Sequence, residues 1–266
     1  MSLLGAAIIP AAPVLIPKLS GTARPAEEPR AAVMHALQWI RSLEPSTLVV
    51  IAEGDANRIL PGDHPLALER FTGRAVTGLT IRDSHQGRPP QPEPLPLPLA
   101  VAAALLQDAG WRGPTVYRSV DRSSSAAQAR AIGREIAAPA VGDTGDVPMV
   151  VLLAGSGSAC TTPQAPGAHR PDADAFNAML HSMIEHGDIT SMAEITARQS
   201  AEQLSDIRIP VQVLAGLVPP LNPAGRILHA EEFRGVFYLC AAFDTMTGEH
   251  GRSPRSEGTP GGTRHA

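Results

Sequence analysis

Short, continuous apolar runs alternate with longer amphipathic stretches along most of this chain. Leu3 to Ile9 is one such run, closed by Pro10, and it has the pattern of a central strand covered on both faces. From Ala26 to Glu44 the residues Val33, Leu37, Ile40 and Leu43 recur at helical spacing until Pro45 stops them. Thr47 to Ala52 is β-branched and apolar and runs into Glu53, Gly54 and Asp55, so a strand, a helix and a strand follow one another and predict a right-handed βαβ unit. After a polar loop through His64, Ala75 to Ile81 alternates weakly and predicts a further strand.

The alternation resumes beyond a proline-rich stretch. Asp83 to Pro98 reads as a stiff surface loop or a crossing between sub-lobes, with a domain boundary there as the alternative. Leu99 to Ala109 predicts a helix and Thr115 to Val120 a strand. Ser123 to Ser125 then offer caps for a helix with Ala129, Ile132 and Ile136 on one face. Val147 to Ala154 is the most apolar strand. The helix marked by Phe176, Met179, Leu180, Met183 and Ile184 follows, with Asp172 or Asp174 as its cap and Gly187 as its stop. Ser191 and Glu194 have capping-box spacing for a next helix to about Leu204, and Val211 to Val218 predicts a short buried helix. Two final strands, Arg226 to Ala230 and Val236 to Phe243, are joined by polar residues 231 to 235. The pattern predicts an α/β fold: a single domain over residues 1–243 with a mixed, largely parallel central sheet flanked by helices, and a disordered tail over 244–266.

Composition narrows the function classes more than it names one. With 266 residues and 43% hydrophobic content, the chain can bury a substantial core. A net charge of −4 without a basic stripe or polybasic run argues against nucleic acid and against a membrane surface as partners. The apolar start is too short to span a bilayer and is broken by Pro10 and Pro13. Two cysteines, Cys160 and Cys240, make neither a disulfide framework nor a zinc site, so a reducing cytoplasm is the default location.

Candidate chemistry is sparse. The glycine and serine loop at 155–158 follows a strand, where backbone N–H groups can cradle an anion, but it lacks both GxGxxG spacing and a GK[ST] ending. His169 lies in the loop before a capped helix, and His181 and His186 are too far out of phase on their helix to share a metal. Glu53 and Asp55 stand where open α/β sheets place ligands; a carboxylate there can hold a metal, act as a base or close a turn. A triad of Asp121, Ser156 and His169 is disfavoured, because no helix starts behind the serine.

The segments AAIIPAAPVLIP, TLVVIAEG, LLAGSGSACTTPQAPG with DAFNAMLHSMIEHGDITSM, and IPVQVLAGLV with GVFYLCAAF together resemble the B subunit of class III extradiol ring-cleavage dioxygenases, closest to LigB-like proteins of high-GC Gram-positive bacteria. The resemblance implies an α/β domain whose active members hold Fe(II) at the strand ends and cleave catechol rings with O₂. Their first strand ends in Pro-His-Pro-Pro, their second in Ser-Pro-His, and a Gly-Asp-Leu-Ser-His loop supplies an acid/base histidine. Here those positions fall on Ala11, Gly54 and Ala159. The remaining acidic ligand has Asp206 as its nearest candidate. Neither a methyl group nor bare backbone offers a lone pair to iron.

The expectation is therefore a non-catalytic relative, without catalytic residues, metal or cofactor, that keeps a vestigial pocket. Ala11, Glu53, Gly54, Asp55, Ser156, Ser158, Ala159, His169 and Asp206 are the residues expected around it. Its partner would be a small polar ligand, and the chain could form a homodimer. The alternative is a metal-dependent oxidoreductase whose site is rebuilt from Glu53, Asp55, Asp206 and His169.

Overall fold

A computed structural model describes residues 2–20, 25–64, 66, 68, 94–138, 147–217 and 223–245. Seven strands form one sheet in the order β3-β4-β2-β5-β1-β7-β6. They are β1 (Ser2–Ile9), β2 (Thr47–Gly54), β3 (Arg58–Pro61), β4 (Thr115–Asp121), β5 (Pro148–Ala154), β6 (Ala224–Phe233) and β7 (Val236–Asp244). β4, β2, β5 and β1 run parallel, while β3 at one edge and β7 and β6 at the other run antiparallel to their neighbours. The fold is α/β with a mixed sheet that is parallel in its centre.

The helices are α1 (Pro17–Ser20), α2 (Glu27–Ser42), α3 (Leu97–Asp108), α4 (Ala126–Ala137), α5 (Ala173–Glu185), α6 (Ile189–Met192), α7 (Ala197–Glu202) and α8 (Arg208–Leu217). Successive strand residues point to opposite faces, and both faces are covered along the middle of β2: Leu48, Val50 and Ala52 pack with α2 and α3, and Val49 and Ile51 with α4, α5 and α8. Both layers exclude water. On the second face α4 and α8 cross at glycines. A Cβ on Gly133 would stand 2.1 Å from Val213 O, and one on Gly216 would stand 2.1 Å from Arg130 O, so the two backbones touch.

Several local expectations are corrected. Arg58–Pro61 is an edge strand against β4 rather than polar loop; only four residues long and ending in proline, it carries too little pattern to read. α3 begins inside the proline-rich run, with Pro98 in the first turn, where a missing N–H costs nothing. The Ser191 and Glu194 box does not form. Asp188 caps α6 by accepting from the Ser191 N–H, and the true box joins Thr196 to Gln199 at α7, so the single helix expected to Leu204 is two short ones. Asp172 is the N-cap residue of α5 but accepts no capping bond, its carboxylate being held by Arg170. Ser125 does cap α4. α8 starts at Arg208, earlier than the apolar run suggests. β6 continues to Phe233, and Arg234 and Gly235, with φ of 53° and 80°, make the two-residue hairpin turn. β7 includes Asp244, one residue past the expected boundary. The expected strand at Ala75 to Ile81, most of the proline-rich stretch and the tail from residue 246 lie outside the described residues.

Among the described residues no helix is long and apolar enough to cross a membrane. Cys160 and Cys240 are both free and buried.

Candidate functional site

The carboxyl ends of the parallel strands converge on one side of the molecule. Ile9, Ala154 and Ala52 sit at the same level on the adjacent strands β1, β5 and β2, so the outer two are about 10 Å apart. The connections after neighbouring strands leave to opposite faces: α2 and α3 lie on one, α4 and α5 on the other. Crevices open at such points, and ligands of open α/β sheets sit there.

A cleft of about 540 Å³ occupies the end of β2. Glu53, Arg122 and Pro98 line it from the strand ends and from α3. Ala197, Ser200, Ala201, Leu204, Ser205, Asp206 and Arg208 close it from α7 and the start of α8. A smaller recess of about 310 Å³ adjoins it, sharing Glu53, Pro98 and Arg122 and adding Gly54, Asp55 and Ser119.

Electrostatics in the cleft are not those of a solvated surface. Burial pushes the Asp206 carboxyl up from 3.8 to about 6, against the opposing effect of the Ser156 N–H, which donates to its Oδ1 at 2.6 Å. Burial also raises the Glu53 carboxyl, and the neighbouring Asp206 charge adds to that, while Arg208 and Arg122 pull it down. Arg208 is 3% exposed, and desolvation lowers its guanidinium. It donates to Ser124 O and Gln212 Oε1 at 3.1 Å each and to Arg122 O. Its Nε–H has no acceptor among the described residues. Arg122 pairs with Asp55 at 2.7 Å, both side chains being exposed. Two carboxylates thus face one cleft, and the arginines beside them are engaged elsewhere.

The segment before α8 also anchors the glycine and serine loop. Ser205 Oγ donates to Ser156 O at 2.8 Å, so Ser205 and Asp206 hold the Ser156 peptide from both sides. Ser158 is fully buried; its Oγ donates to Gln203 Oε1 at 2.8 Å and accepts from the Cys160 N–H at 3.0 Å. These bonds make the loop a structural joint between β5 and α7. Leu204, at the turn after α7, has φ of 47° and is 56% exposed at the rim of the cleft.

Of the nine residues expected around one pocket, Glu53 and Asp206 line the main cleft, and Gly54 and Asp55 line the adjoining recess with Glu53. The other five line neither. Ala11 packs against the apolar layer of α2 and α3. Ser156 reaches the site through its backbone contacts with Asp206 and Ser205, and Ser158 is turned into the core. Ala159 donates its N–H to Gln203 O, and His169 is exposed in the loop before α5. Arg122, Ser200, Leu204 and Arg208 were not legible beforehand. Only Arg208 leaves a trace, a charge at the head of an apolar helix with Gln212 one turn on.

Comparison with known proteins names no function. No protein-family model matches the chain, and no curated protein matches it. Among solved structures it is similar to the uncharacterized protein JW3007 from Escherichia coli K12, with 16% identity over 90% of this chain and 99% of that one and a TM-score of 0.47.

The residues do not fit the iron centre that the resemblance implies. Ala11 and Gly54 carry no side-chain donor atom, and any Cβ at position 54 would stand 2.1 Å from Ser119 Oγ, so the Ser119 side chain occupies the space an imidazole there would need. A facial triad needs two histidines beside its carboxylate. Among the described residues no group of three or more histidine, cysteine or acidic side chains is placed to hold a metal. Asp55, expected in a rebuilt site, is turned to Arg122.

Proposed function

We propose that this chain is a non-catalytic relative of the class III extradiol dioxygenase B subunits that binds a small polar ligand at the carboxyl end of β2. One observation carries the reading: where the family places an iron-binding histidine stands Gly54, backed closely by Ser119, yet beside it a cleft of about 540 Å³ persists with buried polar groups at its floor. A volume of that size suits a small molecule. Desolvation of the partly buried Glu53 and Asp206 and of the buried Arg208 raises both carboxyls and lowers the guanidinium, a combination that clusters at functional sites.

A second reading, an oxidoreductase with a rebuilt metal site, draws on the same two carboxylates. Two oxygen donors without histidine suit Mg²⁺ or Ca²⁺ better than iron and support no ring cleavage. We place the protein in the cytoplasm, on the two free, buried thiols.

Elemental analysis of protein purified without chelator, with oxygen uptake in the presence of catechol and protocatechuate, tests the reading. The expected result is no stoichiometric iron and no uptake. One equivalent of iron or turnover of either ring overturns it.

A further inference from the structure

We propose that the ligand of this cleft is a small organic ammonium ion with a neighbouring oxygen and a compact apolar body, its ammonium set between Glu53 and Asp206 and its body against Leu204. The inference rests on the binding reading above and adds the chemistry of the occupant.

Charge decides the head group. Glu53 comes from the end of β2 and Asp206 from the opposite wall, ahead of α8. Among the described residues neither carboxylate is within ion-pair distance of a lysine or arginine: Arg122 is paired with Asp55, and Arg208 is bonded to backbone and amide oxygens. The Asp206 charge raises the proton affinity of Glu53 by more than either Arg208 or Arg122 lowers it, so like-charge repulsion remains between the two carboxylates. An ammonium group removes that repulsion and offers three donors at once. A carboxylate or phosphate ligand would add to it.

A second observation asks for an oxygen. Arg208 is 97% buried, lines the same floor and has an Nε–H without an acceptor among the described residues. A hydroxyl or carbonyl beside the ammonium, or Glu53 pushed toward Arg208 by the ligand, supplies one. The apolar body follows from the rim. Leu204 is one of two large hydrophobic residues exposed among those described, and it stands beside Pro98, Ala197 and Ala201. An isobutyl-sized group covers it.

Leucinol is the probe that combines the three features; isopentylamine lacks its oxygen, isopentyl alcohol lacks its charge, and isovalerate reverses that charge. Binding to the full chain is followed by NMR titration at pH 7.5. Leucinol should bind tightest and isopentylamine next, with shifts centred on Glu53, Leu204, Asp206 and Arg208. Glu53→Gln should weaken leucinol about tenfold or more while leaving the circular dichroism spectrum unchanged. Should Asp206→Asn loosen the loop it anchors, Leu204→Ser serves as the second variant and should weaken leucinol while sparing methylamine. If isopentyl alcohol or isovalerate binds as tightly as leucinol, the ammonium assignment is overturned and the binding reading stands. If no probe binds at the cleft, or Glu53→Gln changes nothing, the assignment is overturned. Stoichiometric iron in the same preparation would instead overturn the non-catalytic reading.

Discussion

Replacing Asp206 by asparagine should make the protein more stable at neutral pH and leave its stability in mild acid nearly unchanged. In the native state burial holds this carboxyl at about 6, against 3.8 for a solvated one. A raised carboxyl pKa means that the folded chain binds the proton more tightly than the unfolded chain does. Between these two values stability therefore falls as pH rises, and above about 6 the full penalty is present. The shift corresponds to about 3 kcal/mol at neutral pH. Asparagine escapes that penalty. It remains a neutral acceptor for the Ser156 N–H, as the protonated carboxyl is. The net expectation for Asp206→Asn is a gain of up to about 3 kcal/mol at pH 7.5 and little change at pH 4. Urea unfolding of both proteins across this range, with equal m-values as the check on two-state behaviour, measures it. The gap between the curves must open as pH rises from 4 to 7.5. Parallel curves, or a variant less stable at every pH, would mean that the carboxylate is not strained by its burial, and the desolvation argument for the cleft would fail with it.

Three further outcomes test the packing that positions the site. Gly54→Ala should destabilise by about 1–3 kcal/mol, because its methyl would meet Ser119 Oγ, and Ser119→Gly in the same chain should restore much of the loss; additive effects in the double-mutant cycle would refute the contact. Gly216→Val should cost at least about 3 kcal/mol or prevent folding, since the obstacle is the Arg130 carbonyl and backbone cannot rotate away; an unchanged melting temperature would show that α4 and α8 are not in contact. Cys240 is fully buried and its thiol is pushed up to about 12, so iodoacetamide at pH 8 should spare it in the native state and modify it in guanidinium, as mass spectrometry of the peptide would report.

The parallel centre of the sheet was open to reading because burial on both faces makes the middles of β1, β2 and β5 continuously apolar, and such runs stand out from any flanking pattern. Helices α2, α4 and α5 announced themselves by one apolar stripe each. What escaped was decided by contacts that no local window contains. β3 is a strand only because β4 offers it an edge. Thr196 rather than Ser191 makes a capping box because Asp188 has already taken the Ser191 N–H.

The cleft itself belongs to this second kind. Glu53 was recognisable from its place at a strand end and Asp206 only through the resemblance, whereas Arg208 enters the site because the Arg122 and Ser124 carbonyls after β4 and Gln212 on its own helix fix its guanidinium. The loop at 155–158, read from sequence as the natural place for chemistry, instead joins the sheet to α7: its peptides are held by Asp206, Ser205 and Asn177, and its buried hydroxyl by Gln203. Asp206 therefore has two tasks that pull against each other. Ionised, it anchors the Ser156 N–H more strongly but bears the desolvation penalty of its burial and raises the proton affinity of Glu53. Protonated, it loses that penalty and some of the anchor. A bound ammonium ion would let it keep the anchor and the charge together, so occupancy of the cleft and order in the 155–158 loop should rise and fall as one. Slower amide exchange at Ser156 on leucinol binding would show the coupling, and exchange indifferent to the ligand would separate the loop from the site.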